Sequence, residues 1–429
     1  MLRKDGSRLR PFFSTLLLVS LILLLGLNVV QAQGRTIKIG YVSPQTGPLA
    51  AFGEADGYIL DSMREFLADG IDIGGTMYPV EILVQDSQSD PNRAAEVAAD
   101  LILRDEVDLM LVASTPETTN PVSDQCEIYE VPCISTVAPW QPWFFRNPEA
   151  AESGGYQYTY HFFWGLEDII GVFVDLWDSQ ETNHVVGALW PNDGDGLAWS
   201  DAERGFPPAL EAAGYTVIDP GRYENLKDDF SAEIAMFMEN DVQIVTGVMI
   251  PPDLGTFLTQ ASQQGFHPLM FTVGKAALFP SVVQSISDDL GANLTTEIWW
   301  TPSHPFTSSL TGQTAEELAT AYTESTESQW TQPVGFAHAL FEVAVDSLQR
   351  AEDIEDPDSI TAAIAATDLD KIVGHISWAD GPVPNVAKTP LVGGQWQTGE
   401  DWPLELVITS NSLFGDIPVG GETALKVWE

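Results

Sequence analysis

Positive charge is what this chain has least of. Lysine and arginine number 18 against 62 aspartates and glutamates, a formal net charge of −44. That balance excludes a surface that clamps nucleic-acid phosphates or docks on anionic lipid. Cysteine is nearly absent, with only Cys126 and Cys133, and the six histidines are scattered. A zinc site needs more ligands than the cysteine pair supplies, so no metal is expected. Also missing are a Gly-x-Ser-x-Gly elbow, a His-Glu-x-x-His pair, a Walker loop and a Gly-x-Gly-x-x-Gly turn after a strand. The expectation is therefore neither an enzyme nor a cofactor carrier.

What is present argues for a folded, exported protein. A hydrophobic fraction of 44% with 13 tryptophans is incompatible with a disordered chain. Arg3, Lys4, Arg8 and Arg10 precede an apolar run from Phe12 to Leu27, and Val30-Gln31-Ala32 places small residues at −3 and −1. Residues 1–32 thus read as a signal peptide, cleaved to leave Gln33 first in a periplasmic or extracellular protein. An uncleaved anchor is the alternative, and no later stretch reaches the roughly 20 apolar residues that span a bilayer. Removing those residues takes away four bases and one acid, so the net charge becomes −47. A solvated acidic face accounts for this, and it suits a habitat of high ionic strength, where salt screens self-repulsion. In an oxidising compartment Cys126, on a helix, and Cys133, on the following strand, could form a disulfide, though spacing alone does not decide it.

From Thr36 onward, strand-like and helix-like segments alternate with short connections. Strands are expected at Thr36–Val42, Val80–Gln85, Asp108–Ala113 and Pro132–Thr136, with helices at Phe52–Ala68, Asn92–Arg104 and Pro121–Glu130. The pattern restarts at Glu167, with strands at His184–Trp190, Tyr215–Ile218, Ile244–Met249 and Leu269–Val273. Helices are expected from Glu167 to Trp177, Trp199 to Ala213, Phe230 to Asn240 and Leu254 to Gln264. The fold class is α/β, with two doubly wound parallel-sheet lobes in tandem. Open sheets of this kind bind ligands beyond the carboxyl ends of their strands. Attention therefore falls on Ser43–Pro48, Ser114–Thr119, Val137–Trp143, Pro191–Gly196, Ile250–Asp253 and Gly274–Ala276.

Ile37-Lys38-Ile39-Gly40, Thr46-Gly47-Pro48-Leu49-Ala50-Ala51-Phe52-Gly53 and Asp86-Ser87-Gln88-Ser89-Asp90-Pro91 occur in an order that resembles the type I periplasmic binding proteins of the leucine/isoleucine/valine group. Pro121-Val122-Ser123-Asp124, Pro132-Cys133-Ile134-Ser135 and Val373-Gly374-His375-Ile376-Ser377-Trp378 extend the resemblance across nearly the whole mature chain. It implies two lobes joined by three hinge crossings, near Trp164–Gly165, Trp300–Pro302 and Asn385–Thr389. The first lobe would comprise residues 36–164 plus 302–388, the second 165–301 plus 389–429. The tail beyond Thr389 is longer than the family needs. The implied function is a solute-binding protein of an ABC importer, monomeric, that captures a small carboxylate or amino acid and delivers it to a membrane permease. A ligand-sensing receptor domain is the other non-enzymatic possibility.

The resemblance also implies where ligand would sit. Hydroxyls and amides at a helix start would meet a carboxylate, which here points to Ser114, Thr115, Thr118 and Thr119 ahead of Pro121, a plausible first helical position. Alternatively Thr118 or Thr119 simply caps that helix. Phe52 falls at an aromatic wall position. Ala138 and Trp140 follow the next strand, where Trp140, and less so Trp143, would wall the pocket. Asp193 would contact ligand from the second lobe or pair with Lys275. The run around it resembles part of a calcium loop but has Pro191 and Ala202 where acids are required. Lys275 stands where the family carries an acid that holds an amino group, and an ammonium cannot accept a hydrogen bond from another. An apolar or aromatic carboxylate would then suit the cleft better than leucine, branched-chain amino acids being the alternative ligand. The bland alternative for Lys275 is an ion pair with an acid such as Asp253.

Overall fold

The computed structural model describes residues 1–2 and 34–428, so the signal read from Arg3 to Ala32 lies outside the described residues. Strands β1 (Ile37–Ser43), β2 (Val80–Asp86), β3 (Leu109–Ala113), β4 (Cys133–Thr136) and β5 (Thr159–Phe162) form a first sheet in the order β5-β4-β3-β1-β2, every pair parallel. Strands β6 (Val185–Leu189), β7 (Thr216–Ile218), β8 (Ile244–Gly247), β9 (Met270–Val273) and β10 (Thr295–Ile298) form a second, in the order β10-β9-β8-β6-β7, again parallel. The short β11 (Val386–Ala387) returns to the first sheet beside β5. β12 (Val392–Thr398) and β13 (Leu404–Ser410) extend the second sheet past β10 as an antiparallel pair. The chain thus passes between the sheets three times. The last residues strap the second sheet, where the Lys426 amide donates to the Leu269 carbonyl and Trp428 Nε1 to Pro268 O.

Helices cover both faces of the parallel sheets, which is why inner strands such as β3 are buried at every residue rather than at alternate ones. The helix α1 (Asp56–Phe66) follows a single 3-10 turn at Ala50–Gly53. α2 (Pro91–Leu103) shows the local logic best. Asp90 caps it by accepting from the Arg93 amide, Pro91 supplies a preset φ at its first position, and Ala94, Val97, Ala98, Leu101 and Ile102 form one buried stripe. Each larger member of that stripe contributes roughly 1.5–3 kcal/mol on burial.

Two helices differ most from expectation. α3 runs Pro116–Tyr129, one turn earlier than Pro121, which lies inside it. Both prolines suit a first helical position, and the choice fell to Pro116, leaving Pro121 to forgo one intrahelical bond. After α4 (Leu166–Asp178), the helix expected over Trp199–Ala213 is two helices, α5 (Gly194–Trp199) and α6 (Phe206–Ala212). The turn between them needs a glycine at its end, since a Cβ on Gly205 would meet the Trp199 carbonyl at 2.4 Å. Cys126 and Cys133 are both buried and unbonded, and burial beside Cys133 pushes the Cys126 thiol well up. The hairpin Ile71–Ile73 with Thr76–Tyr78 escaped the sequence reading, although Gly74-Gly75, both at positive φ, is a strong hairpin signal. So did the long α7 (Pro333–Arg350), which is buried over most of its length in the first lobe.

Candidate ligand-binding site

The carboxyl ends of both sheets face one another across a cleft that is closed. Phe52 of the first lobe meets Phe279 of the second edge-on at 4.7 Å between ring centroids. Ser281 Oγ donates to Glu54 Oε2 at 2.5 Å, and the Gly194 amide donates to Glu117 Oε1 at 3.0 Å. What remains inside is a cavity of about 20 Å³. That is close to the space of one water, so any organic solute requires the lobes to part.

The first-lobe side of the cavity carries Phe52, Thr115, Val137, Pro139, Phe163 and Trp164. Thr115 is the N-cap of α3, yet its hydroxyl makes no cap bond. Thr119 Oγ1 donates back to the Ser114 carbonyl at 2.8 Å. The hydroxyls of Ser114, Thr115 and Thr118 are buried and find no hydrogen-bond partner among the described residues. Neither Thr118 nor Thr119 caps the helix, since both lie within its first turn. Three idle hydroxyls at the start of a 14-residue helix make this corner rich in hydrogen-bonding capacity, while the Thr118 and Thr119 amides already donate to the Thr115 carbonyl.

The second-lobe side carries Asp195, Trp199, Val248, Lys275, Leu278, Glu297 and Trp299. Lys275 Nζ lies 3.0 Å from Asp193 Oδ2, 3.0 Å from Asp195 Oδ2 and 3.3 Å from Glu117 Oε2, the last across the cleft. Its backbone is left-handed at φ 66°, as is Val137 opposite at φ 73°, an expensive conformation for side chains with a Cβ and one that clusters at functional sites. Burial opposes the charge on Lys275, but the carboxylates around it hold its pKa well above the ordinary value. Burial would raise Asp193, yet Lys275 and bonds from the Gly196 amide and Asn225 hold it below the usual range. Burial dominates at Asp195, pushed up to about 7, and at Glu297, pushed up to about 8. Glu297 accepts from Thr296 Oγ1 and, at 3.3 Å, from the Lys275 amide.

Of the residues expected at the site, Phe52, Thr115 and Lys275 line the cavity, Asp193 holds Lys275, and Ser114, Thr118 and Thr119 are buried at the start of α3 without lining it. Ala138 is buried, its carbonyl engaged by His161 Nε2 at 2.7 Å. Trp140 is a correction. It stands outside the cavity, its Nε1 donating to Glu167 Oε1 at 3.1 Å, and it covers Gly165 so closely that a Cβ there would lie 2.1 Å from the indole nitrogen. The residue before it, Pro139, takes the wall position, because the helix that starts at Trp140 turns the indole toward the crossing. Trp143 packs on His161 and under Arg146 in the core. Asp253 does not pair with Lys275; it accepts from the Leu226 and Lys227 amides. The sequence reading passed over Glu117, Asp195 and Glu297. Asp195 was legible as the second acid of an Asp-x-Asp loop, whereas Glu297 required recognising Thr295–Ile298 as a strand.

A family model for periplasmic binding proteins matches residues 36–400. The chain is a type I periplasmic binding protein. Solved structures share this fold. A leucine binding protein from Thermotoga maritima is 17% identical, with a TM-score of 0.71 over 88% of this chain and 99% of that one. A solute binding protein from Rhodopseudomonas palustris in complex with 3,4-dihydroxybenzoic acid is 16% identical, with a TM-score of 0.69 over 87% of this chain and 96% of that one. Another from R. palustris, in complex with benzoate, is 13% identical, with a TM-score of 0.68 over 91% and 99%. No helix among the described residues of this binding protein is long and apolar enough to cross a membrane.

Proposed function

We propose that this protein is the exported, monomeric substrate-binding component of an ABC importer, capturing a small carboxylate-bearing solute between its lobes and passing it to a membrane permease. The observation that carries the reading is the set of buried hydroxyls of Ser114, Thr115 and Thr118 at the start of α3, which have no partner among the described residues. Helix N-termini favour anions because the dipole points its positive end outward, and here idle hydroxyls rather than free amides supply the donors. Around that corner Phe52, Phe163, Trp164, Trp199 and Trp299 offer aromatic faces for an apolar or aromatic body. Two similar folds were captured with benzoate and 3,4-dihydroxybenzoic acid, which agrees with such a ligand class.

A second reading, a branched-chain amino acid, draws on Asp195 and Glu297, which line the cavity and are able to accept from an amino group. A thermal-shift screen separates the two, since binding to the native state raises the midpoint by mass action. Benzoate, 3,4-dihydroxybenzoate and 4-methylpentanoate are expected to raise it more than leucine or isoleucine. A rise with leucine alone makes the amino-acid reading the correct one. No rise with any carboxylate refutes both.

A further inference from the structure

We infer that the acidic cage around Lys275 is an ammonium-binding site that the chain fills with its own side chain, and that truncating this lysine opens the cage to a free primary ammonium. The inference rests on reading the cleft as the solute site. An ammonium has three N–H donors and no acceptor. Lys275 Nζ has three carboxylates within reach, at 3.0, 3.0 and 3.3 Å, and its side chain is 3% exposed. Two of its donors hydrogen-bond to Asp193 and Glu117, and Asp195 completes the cage as an ion pair. The acids are positioned independently of the lysine. Asp193 caps α5 through the Gly196 amide and holds Asn225, while Glu117 accepts from the Gly194 amide. Asp195, 3% exposed, lines the cavity, and its Oδ1 has no partner among the described residues. The cage thus presents one more acceptor than its resident cation engages.

Two consequences follow. A solute bearing its own ammonium meets a second positive charge that is already satisfied, so the closed cleft favours the same body without the amine. Truncating the lysine leaves buried carboxylates without a counter-charge, which is strongly unfavourable unless another cation enters. The acids come from both lobes, so an entering ammonium would also replace the bridge between Lys275 and Glu117.

The test uses the full chain with Lys275→Ala and n-butylammonium chloride as the probe. Tetramethylammonium, which has the charge but no N–H donor, serves as control. The variant's thermal midpoint is expected to fall and then recover with n-butylammonium, by about 5 °C when the amine is near 100 times its Kd, and not with tetramethylammonium. The wild type should not respond to either. Should the variant not fold unaided, recovery from denaturant in n-butylammonium alone is the same result. Equal response to both salts, or to neither, overturns the inference. Calorimetry of leucine against 4-methylpentanoate adds a second arm, in which the variant is expected to shift preference toward leucine by tenfold or more. Amine rescue needs no carboxylate ligand. Rescue without carboxylate binding by the wild type would sink the proposed function alone, and carboxylate binding without rescue would sink only the cage.

Discussion

The two walls of the cleft solve the same problem in opposite ways. The first-lobe lining of the cavity carries no charged side chain, the nearby Glu117 being turned to Lys275, and the hydroxyls of Ser114, Thr115 and Thr118 are buried with capacity to spare. The second-lobe wall is densely charged, yet Lys275, Asp193 and Asp195 largely satisfy one another, with Glu117 reaching across to join them. Spare hydrogen-bonding capacity is what a partner can gain from, whereas a satisfied ion cluster gains nothing and mainly refuses what does not fit. On this view attraction belongs to the first wall, and refusal and closure belong to the second.

The largest effect should come from breaking the charged wall. Lys275→Met leaves buried carboxylates unpaired and is expected to cost about 3–5 kcal/mol, read as a lower urea midpoint. A loss below 1 kcal/mol would mean that the cluster is solvated and the contrast between the walls is false. Thr115→Val tests the other wall. It should weaken carboxylate binding by roughly 10-fold or more in calorimetry while leaving unfolding nearly unchanged, because the hydroxyl has no partner to lose. Equal damage to stability and affinity would make the hydroxyl structural.

Titration sharpens the comparison at a smaller scale. Burial raises Glu297 to about 8 and Asp195 to about 7, so as pH rises past the ordinary carboxyl range the native state still keeps protons that the unfolded chain has lost. Stability from such groups is complete below their unfolded pKa and is lost as pH rises through the folded one. With Lys275 and Asp195 facing it, Glu297→Gln removes one titration. Between pH 5 and 9 the variant should lose less stability than wild type, by on the order of 2 kcal/mol. Parallel curves would show that Glu297 is not the group that titrates. Closure is tested by small-angle scattering. In solution a ligand that engages both walls should draw an open free form toward the closed one described above, reducing the radius of gyration by hinge motion at the three crossings, with little change inside either lobe. An unchanged profile at saturation would count against it. The smallest expected effect is on the outer surface, where raising NaCl from roughly 0.1 to 1 M should lift the unfolding midpoint as screening shortens. A flat response would mean that the acidic surface does not strain the fold.

Much of the fold was legible because its signals are local. β1, β3 and β9 appear as β-rich runs bounded by turns, and α2 has its cap, first-turn proline and apolar stripe within 14 consecutive residues, Asp90 to Leu103. The site was legible in part. Phe52, Thr115 and Lys275 were reachable because strand ends in such sheets converge. Trp140 was misjudged because chain position says where a residue stands but not which way a short helix turns it. Pro116 and Pro121 are equivalent by local rules, and only packing chose between them.

By itself the sequence determined the alternation of strands and helices, the acidic surface and the run of hydroxyls at the start of α3, since each depends on neighbours a few residues apart. Only the tertiary structure decided what Lys275 is. Its partners are Asp193 and Asp195, some 80 residues earlier, and Glu117, at a separation of 158 residues. Coulombic attraction acts through space, and its strength depends on how far water has been excluded. A scarce lysine in an acidic chain therefore announced that it would face negative charge. Whether that charge belongs to a ligand or to the protein was set by the closing of two lobes.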